Sequence, residues 1–288
     1  MMSLHHQILA GLYSPLKLAD FIGQVMGIGS PHRLRVLLYH DIASLEQKRF
    51  AAQIRWLKKT WNFVTPESFA AMVSGLEPIH GYNLLLTLDD GFASNRVVAE
   101  QILNPMGIKA IFFVVSAFID TKEYHEARYF ISQHIHPGIS LSDVPAHWRN
   151  MKWNDLAYLI ETGHTIGAHA RTHARLSELR QTDELEAEII DSADVLEHNL
   201  GVKIEHFAYP FGNLNSFSPA ALAIARRRFS FIYSGLRGDN ACGAPPWALR
   251  RDAIAPDNSL GLVGALLEGG ADIIYSRDIA TFESWAKQ

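Results

Sequence analysis

Cysteine is almost absent from this 288-residue sequence. Cys242 stands alone, so no disulfide can form within the chain, which fits a reducing compartment. No run approaches 18 uninterrupted apolar residues, so no membrane-spanning helix is expected. An excess of basic charge is also missing. The 26 Lys and Arg residues face 30 Asp and Glu, a formal net charge of −4, and such a chain carries no field to recruit nucleic acid. Neither an internal repeat nor a low-complexity linker is present. The first thirty residues lack the basic start, continuous apolar core and small-residue cleavage site of a signal peptide. They read as mature sequence of a cytoplasmic protein, with an unusual export route left open. A helix packed on the domain is expected over residues 4–27, with peripheral membrane contact through an amphipathic face as the alternative.

Apolar residues make up 48% of the chain and charged residues 19%, enough apolar content for a large core, and the length suits one large α/β domain. Short apolar runs alternate with helix-like segments. "RVLLYH" (35–40), "NLLLTL" (83–88), "KAIFFVV" (109–115), "HTIGAHA" (164–170), "IEHFAYP" (204–210) and "SFIYSG" (230–235) read as strands. Between them, residues 49–61 have helical spacing at Phe50, Ile54 and Leu57, and residues 94–107 and 153–163 read as helix-like too. Residues 182–201 are the clearest helix, with Asp183 and Glu186 as a capping box and Gly201 as the stop. Residues 218–229 open with Ser-Pro and end in three arginines, which suits both helix termini. Strands that are apolar throughout and alternate with helices imply a parallel sheet or barrel covered by helices, with chemistry at the carboxyl ends of the strands.

Four strand exits carry chemistry-bearing residues. The run "LLLTL" ends in Asp89-Asp90-Gly91. Two neighbouring carboxylates repel unless a cation neutralises them, so one can bind a metal while the other acts as base; a plain Asp-Gly turn is the alternative. His169 and His173 are spaced i, i+4 after another strand, and on a helical turn both imidazoles would share a face, as two metal ligands must. Two histidines and an aspartate leave one coordination place for water, the pattern of catalytic zinc sites. "FAYPFGN" (207–213) offers backbone N–H groups to a developing oxyanion. His40, ending the first strand, is a candidate general acid.

Taken in order, these segments resemble the polysaccharide deacetylases, carbohydrate esterase family 4 with its NodB-homology domain. The first family motif is matched by Thr87-Leu88-Asp89-Asp90-Gly91, and the second by His169-Ala170-Arg171-Thr172-His173 within a frame running from Gly167 to Leu176. The third is matched by Tyr209-Pro210-Phe211-Gly212. Three departures stand out. Ala170 replaces the usual Ser or Thr, Ala208 replaces the usual arginine, and no histidine follows His206 to supply the C-terminal Leu-x-His. In the circularly permuted subgroup resembling poly-β-1,6-N-acetylglucosamine deacetylases, that motif moves to the N-terminus, where Leu38-Tyr39-His40 fits it. Arg250 or Arg251 is the expected source of the missing guanidinium.

The resemblance implies a distorted (β/α)7-type barrel over residues 34–288, preceded by a helical extension (1–33) and interrupted by an insertion at about 119–150. It implies one divalent metal on Asp90, His169 and His173, with zinc foremost and cobalt, manganese or iron as alternatives. Asp89 would then be the base, His40 the acid and the Phe211 N–H an oxyanion donor, with Tyr209, Pro210 and Arg251 contacting substrate. The implied reaction removes an acetyl or other acyl group from an amino sugar in a polysaccharide, oligosaccharide or glycolipid. Two further readings stand beside it, a carbohydrate-binding pseudoenzyme spoiled by the altered third motif and a metal-free glycosidase with paired carboxylates. The insertion carries His125, His134, His136 and His147; a cover over the substrate or a plain surface insertion is expected, with a second metal site as the rival reading. Trp148 and Trp153 are candidates for stacking on sugar rings, with core packing the more common use of tryptophan.

Overall fold

The strands are β1 (Arg33–Tyr39), β2 (Asn62–Phe63), β3 (Tyr82–Leu88), β4 (Ala110–Val114), β5 (Thr165–Ala168), β6 (His206–Ala208), β7 (Phe231–Tyr233) and β8 (Asp252–Ala253). The computed structural model describes residues 4–27, 31–241 and 243–287, so Cys242 lies outside the described residues. All strand pairings are parallel, in the order β7-β6-β5-β4-β3-β1-β8, with β2 beside the start of β3.

Parity along the strands explains why their sequences are runs and not alternations. Leu37, Leu84, Leu86, Phe112 and Val114 belong to one core cluster, which they share with the helix residues Phe50, Ile54, Ile189 and Leu222. Val36, Leu85, Ile111, Phe113 and Tyr233 belong to another. In the second cluster the Phe113 ring on β4 lies 5.2 Å from that of Tyr233 on β7, a strand well separated in the sheet. Rings of separated strands meet only if the sheet curls, so this cluster fills a barrel interior while the first seals the helices to its outside.

The barrel closes through residues 249–254. Leu249 donates its N–H to the Ile232 carbonyl (2.9 Å) and Ser234 donates to Leu249 (2.8 Å), on the β7 side. Arg251 donates to Leu236 (3.0 Å), and Ile254 donates to Leu38 (2.9 Å) on the β1 side. This segment therefore bridges the two edges of the sheet. The buried Arg35 guanidinium on β1 clamps it, reaching Asp252 of β8 at 3.2 Å and Asp272 at 2.5 Å.

The helices differ in detail from the sequence reading. The helix Thr182–Leu200 stops at Gly201 as expected, in a left-handed conformation (φ 67°), but its cap is Gln181 with Glu184, two residues earlier than the Asp183–Glu186 pair. Pro219–Arg226 opens on Ser218, whose side chain accepts from the Ala221 N–H. Helices at Pro66–Val73, Leu260–Leu267 and Asp272–Ala286 were not read from the sequence, nor were the two-residue strands β2 and β8. The N-terminal helices, Leu4–Gly11 and Tyr13–Val25, pack on Leu260–Leu267. A Cβ at Gly264 would lie 2.4 Å from the Tyr13 ring, so only glycine admits that approach.

Two buried histidines outside the strand exits give the fold an acid limit. His164 Nδ1 accepts from the Ala110 N–H (3.2 Å), which requires a neutral ring, and burial pushes its pKa down to about 4. His206, buried beside Tyr233, is likewise pushed down to about 4 by burial. An unfolded histidine titrates near 6.5, so between about pH 6.5 and 4 the unfolded chain binds more protons than the folded one. Stability is therefore fully present above that window and lost as pH falls through it. Urea midpoints measured from pH 7 to 4 should decline across this range, and a flat profile would contradict the assignment.

Candidate active site

The two adjacent carboxylates reach one place because the chain turns between them. Asp89 continues β3, its N–H donating to the Tyr39 carbonyl at 2.8 Å. Asp90 then adopts φ 74°, a left-handed conformation that redirects its side chain. As a result Asp89 Oδ2 and Asp90 Oδ1 lie 3.7 and 3.6 Å from the same atom, His169 Nε2. Among the described residues four non-glycine residues have positive φ, namely Asp90, Ala170, His173 and Phe211. All four belong to the motif segments, where strained backbone conformations are characteristically concentrated.

His169 and His173 converge, but not on a helical turn as their spacing suggested. They lie in the loop after β5, whose path is set by the left-handed Ala170 and His173. Glu188, on the helix Thr182–Leu200, holds this loop. Its carboxylate accepts from the Arg171 N–H (3.1 Å), the Thr172 N–H (2.9 Å) and the Thr172 hydroxyl (2.6 Å). Each imidazole is then oriented from behind: His169 Nδ1–H donates to the Ala208 carbonyl at 2.8 Å, and His173 Nδ1–H donates to the His134 carbonyl at 3.0 Å. A carbonyl only accepts, so both Nδ1 atoms carry the proton and both Nε2 atoms present lone pairs. Burial keeps both rings below the ordinary histidine pKa, His173 at about 4.

Three electron-pair donors thus face one another. Asp90 Oδ1 is buried without a hydrogen-bond partner among the described residues, 3.6 Å from His169 Nε2 and 3.5 Å from His173 Nε2. The ligand atoms of this buried triad lie within 4.8 Å of one another. Lone pairs in such an arrangement are not satisfied by each other, and a divalent cation is the group that fits them.

Asp89 is treated differently. Arg251 Nη1 donates to its Oδ1 at 2.7 Å, both side chains being buried, and Arg251 Nε donates to the Ser234 carbonyl at 2.9 Å. Burial pushes the Asp89 pKa up, but the charge and hydrogen bond of Arg251 outweigh it and hold the carboxyl below its usual range. The guanidinium missing at Ala208 is therefore supplied from the barrel-closing segment. Arg250, the other candidate, pairs with Glu283 instead.

The three residues expected to contact substrate, Tyr209, Pro210 and Arg251, are buried and do not line the cavity. Arg251 is 1% exposed and committed to Asp89, so it positions another side chain. Tyr209 is fully buried with its ring stacked on Phe217 at 4.0 Å, a core role. Pro210 is buried too, whereas Phe211 is half-buried, its ring 4.6 Å from that of His173 and capped by the Arg175 guanidinium at 4.0 Å. The Phe211 N–H has no partner among the described residues, while the next N–H, that of Gly212, donates to Pro210 at 2.7 Å. Gly212 (φ 69°) is required, because a Cβ there would sit 2.6 Å from the Gly235 nitrogen.

The cavity over these groups measures about 390 Å³ and is lined by His40, Asp90, His173, Arg175 and Phe211. Its other wall is the 119–150 segment, through Ile135, His136 and Trp148. His136 stacks on Trp148 at 4.7 Å, and the Trp148 indole N–H donates to Asp41 at 3.0 Å. The 119–150 segment, expected as a cover or a plain surface insertion, thus borders the cavity beside the triad. The histidines of this segment form no metal-holding group among the described residues. Trp153 does not line this cavity; its indole N–H donates to Asp120 at 3.1 Å.

The sequence matches the polysaccharide deacetylase family over residues 80–227, just over half of the chain. The chain belongs to that family. The Bacillus subtilis (strain 168) protein YxkH, named as a polysaccharide deacetylase, is 21% identical over 244 residues, covering 83% of this chain and 77% of its own. Two solved structures share the fold. IcaB from Ammonifex degensii superposes with a TM-score of 0.65 at 23% identity, over 82% of this chain and 97% of its own. The BpsB deacetylase domain from Bordetella bronchiseptica gives 0.64 at 19%, over 78% and 97%. The curled parallel sheet is thus the family's (β/α)7-type barrel, and carbohydrate deacetylation is the reaction class.

Proposed function

We propose that this protein is a divalent-metal-dependent N-deacylase of an N-acetylated amino sugar. The observation that carries the reading is the buried triad of Asp90, His169 and His173, with an unpartnered carboxylate oxygen facing two imidazole lone pairs. A divalent ion held there, zinc foremost, supplies a Lewis acid for the scissile carbonyl and lowers the pKa of water. Asp89, ionised because Arg251 faces it, takes the proton of the attacking water. The Phe211 N–H, without a partner among the described residues, donates to the oxyanion as the carbonyl carbon becomes tetrahedral. His40, exposed at the cavity rim, gives its proton to the departing nitrogen. The C–N bond breaks, the carbon keeps the water oxygen as acetate, and the sugar leaves as a free amine.

The pseudoenzyme reading loses its main support, since Arg251 replaces the arginine missing at Ala208. A paired-carboxylate glycosidase is disfavoured because Asp89 and Asp90 converge on one nitrogen and do not flank a bond. Protein loaded with zinc should release acetate from N-acetylglucosamine oligomers. EDTA should abolish the release and added zinc should restore it. One tightly bound zinc per chain with no release from any N-acylated amino sugar would leave the pseudoenzyme as the answer.

A further inference from the structure

A second cavity, about 490 Å³, also reaches His40, and most of its lining is aliphatic. Its walls are Leu9, Ile254, Leu262, Leu266, Ala271 and Tyr275, with Arg237 and Asn258 as further polar lining beside His40. These come from the N-terminal helix, the end of the barrel-closing segment and the two C-terminal helices. Sugar subsites need hydrogen-bonding side chains for hydroxyl groups, and this wall offers few. An aliphatic chain needs none and gains from every methylene it takes out of water.

The outer end of the groove continues the same character. Ile274, on its wall, is 72% exposed, and the neighbouring Ile273 is 82% exposed. Beside Leu9 on its helix Ile8 is exposed, and Leu12 is exposed just after it; Leu18, Phe21 and Ile22 are exposed on the next helix and Met26 just past its end. An apolar trough that starts at the proposed proton donor and ends among exposed apolar side chains is built for a molecule with a sugar head and a hydrocarbon tail.

We infer that this groove binds the aliphatic portion of the substrate, so that the amino sugar presented to Asp89 and His40 belongs to a glycolipid. The inference rests on the N-deacylase reading of the neighbouring site, with which it shares His40. The chain lies along Leu262, Leu266 and Ala271, and its far end meets the lipid surface through Ile273, Ile274 and the N-terminal helices.

Methyl, butyl and octyl N-acetylglucosaminides, all below micellar concentration, test the inference. The value of kcat/KM should rise by at least about tenfold from methyl to octyl, given the apolar area each methylene buries. Ile274→Lys, at the exposed rim, and Ala271→Trp, which fills the trough, should each reduce the octyl-to-methyl ratio severalfold. Calorimetry with octyl glucoside, which has no acyl group to lose, supplies a readout that does not depend on turnover. Wild type and the Asp90→Asn variant should both bind it more tightly than methyl glucoside. Equal rates for all three glycosides, or octyl binding indifferent to both groove variants, would overturn the inference while leaving the deacylase reading intact. Octyl binding sensitive to Ile274→Lys but with no hydrolysis of any glycoside would sink the deacylase reading and keep the groove.

Discussion

Asp89→Asn should lower kcat by about 10²–10⁴-fold, the usual worth of a positioned general base, while the protein still binds one metal ion per chain. The separation of the two effects follows from geometry. Asp90, His169 and His173 form the triad without Asp89, whose nearer oxygen is engaged by Arg251 at 2.7 Å. Metal content by atomic spectroscopy and acetate release, measured on the same preparation, check both halves. Turnover within twofold of wild type would refute the assignment of the base. The variant also leaves a buried guanidinium without its counter-ion, and breaking a buried pair costs roughly 3–5 kcal/mol. Adding Arg251→Met should therefore return part of the lost stability and none of the lost turnover. That pattern distinguishes loss of the base from loss of the fold.

His169→Ala should abolish both metal retention and hydrolysis. Partners that merely orient a ligand are typically worth about 10–100-fold in metal affinity, so removing the ligand should cost at least that. Dialysis against a metal buffer, followed by zinc analysis, gives the affinity directly. The Ala208 carbonyl that receives the ring proton is itself part of β6, so the cavity left behind has a fixed wall. Circular dichroism should consequently show a folded protein. Full zinc occupancy in this variant would remove the triad from the mechanism.

Much of the site was legible in the sequence because its residues sit at strand exits, and strands buried on two faces announce themselves as apolar runs. Asp89, Asp90, His169, His173, His40 and Phe211 are brought together as those runs suggested. What was not legible depends on backbone direction. The i, i+4 histidines suggested a helix, yet two left-handed residues and the Glu188 carboxylate shape a loop. Glu188 itself lies mid-helix, and nothing local marks it as a loop clamp. Tyr209 was expected to contact substrate on the strength of the resemblance, whereas its ring packs against Phe217 in the core between barrel and helices. Arg250 and Arg251 are indistinguishable by composition, and only the register of a two-residue strand decides which enters the barrel. The last two helices escaped notice because the motifs end before them, although their apolar faces complete the core and the groove.

The closing segment ties the reaction to the completion of the polypeptide. Arg251 meets Asp89 across 162 positions of sequence. During synthesis Asp90, His169 and His173 emerge well before that arginine, so Asp89 gains its counter-charge only once the closing segment has been made.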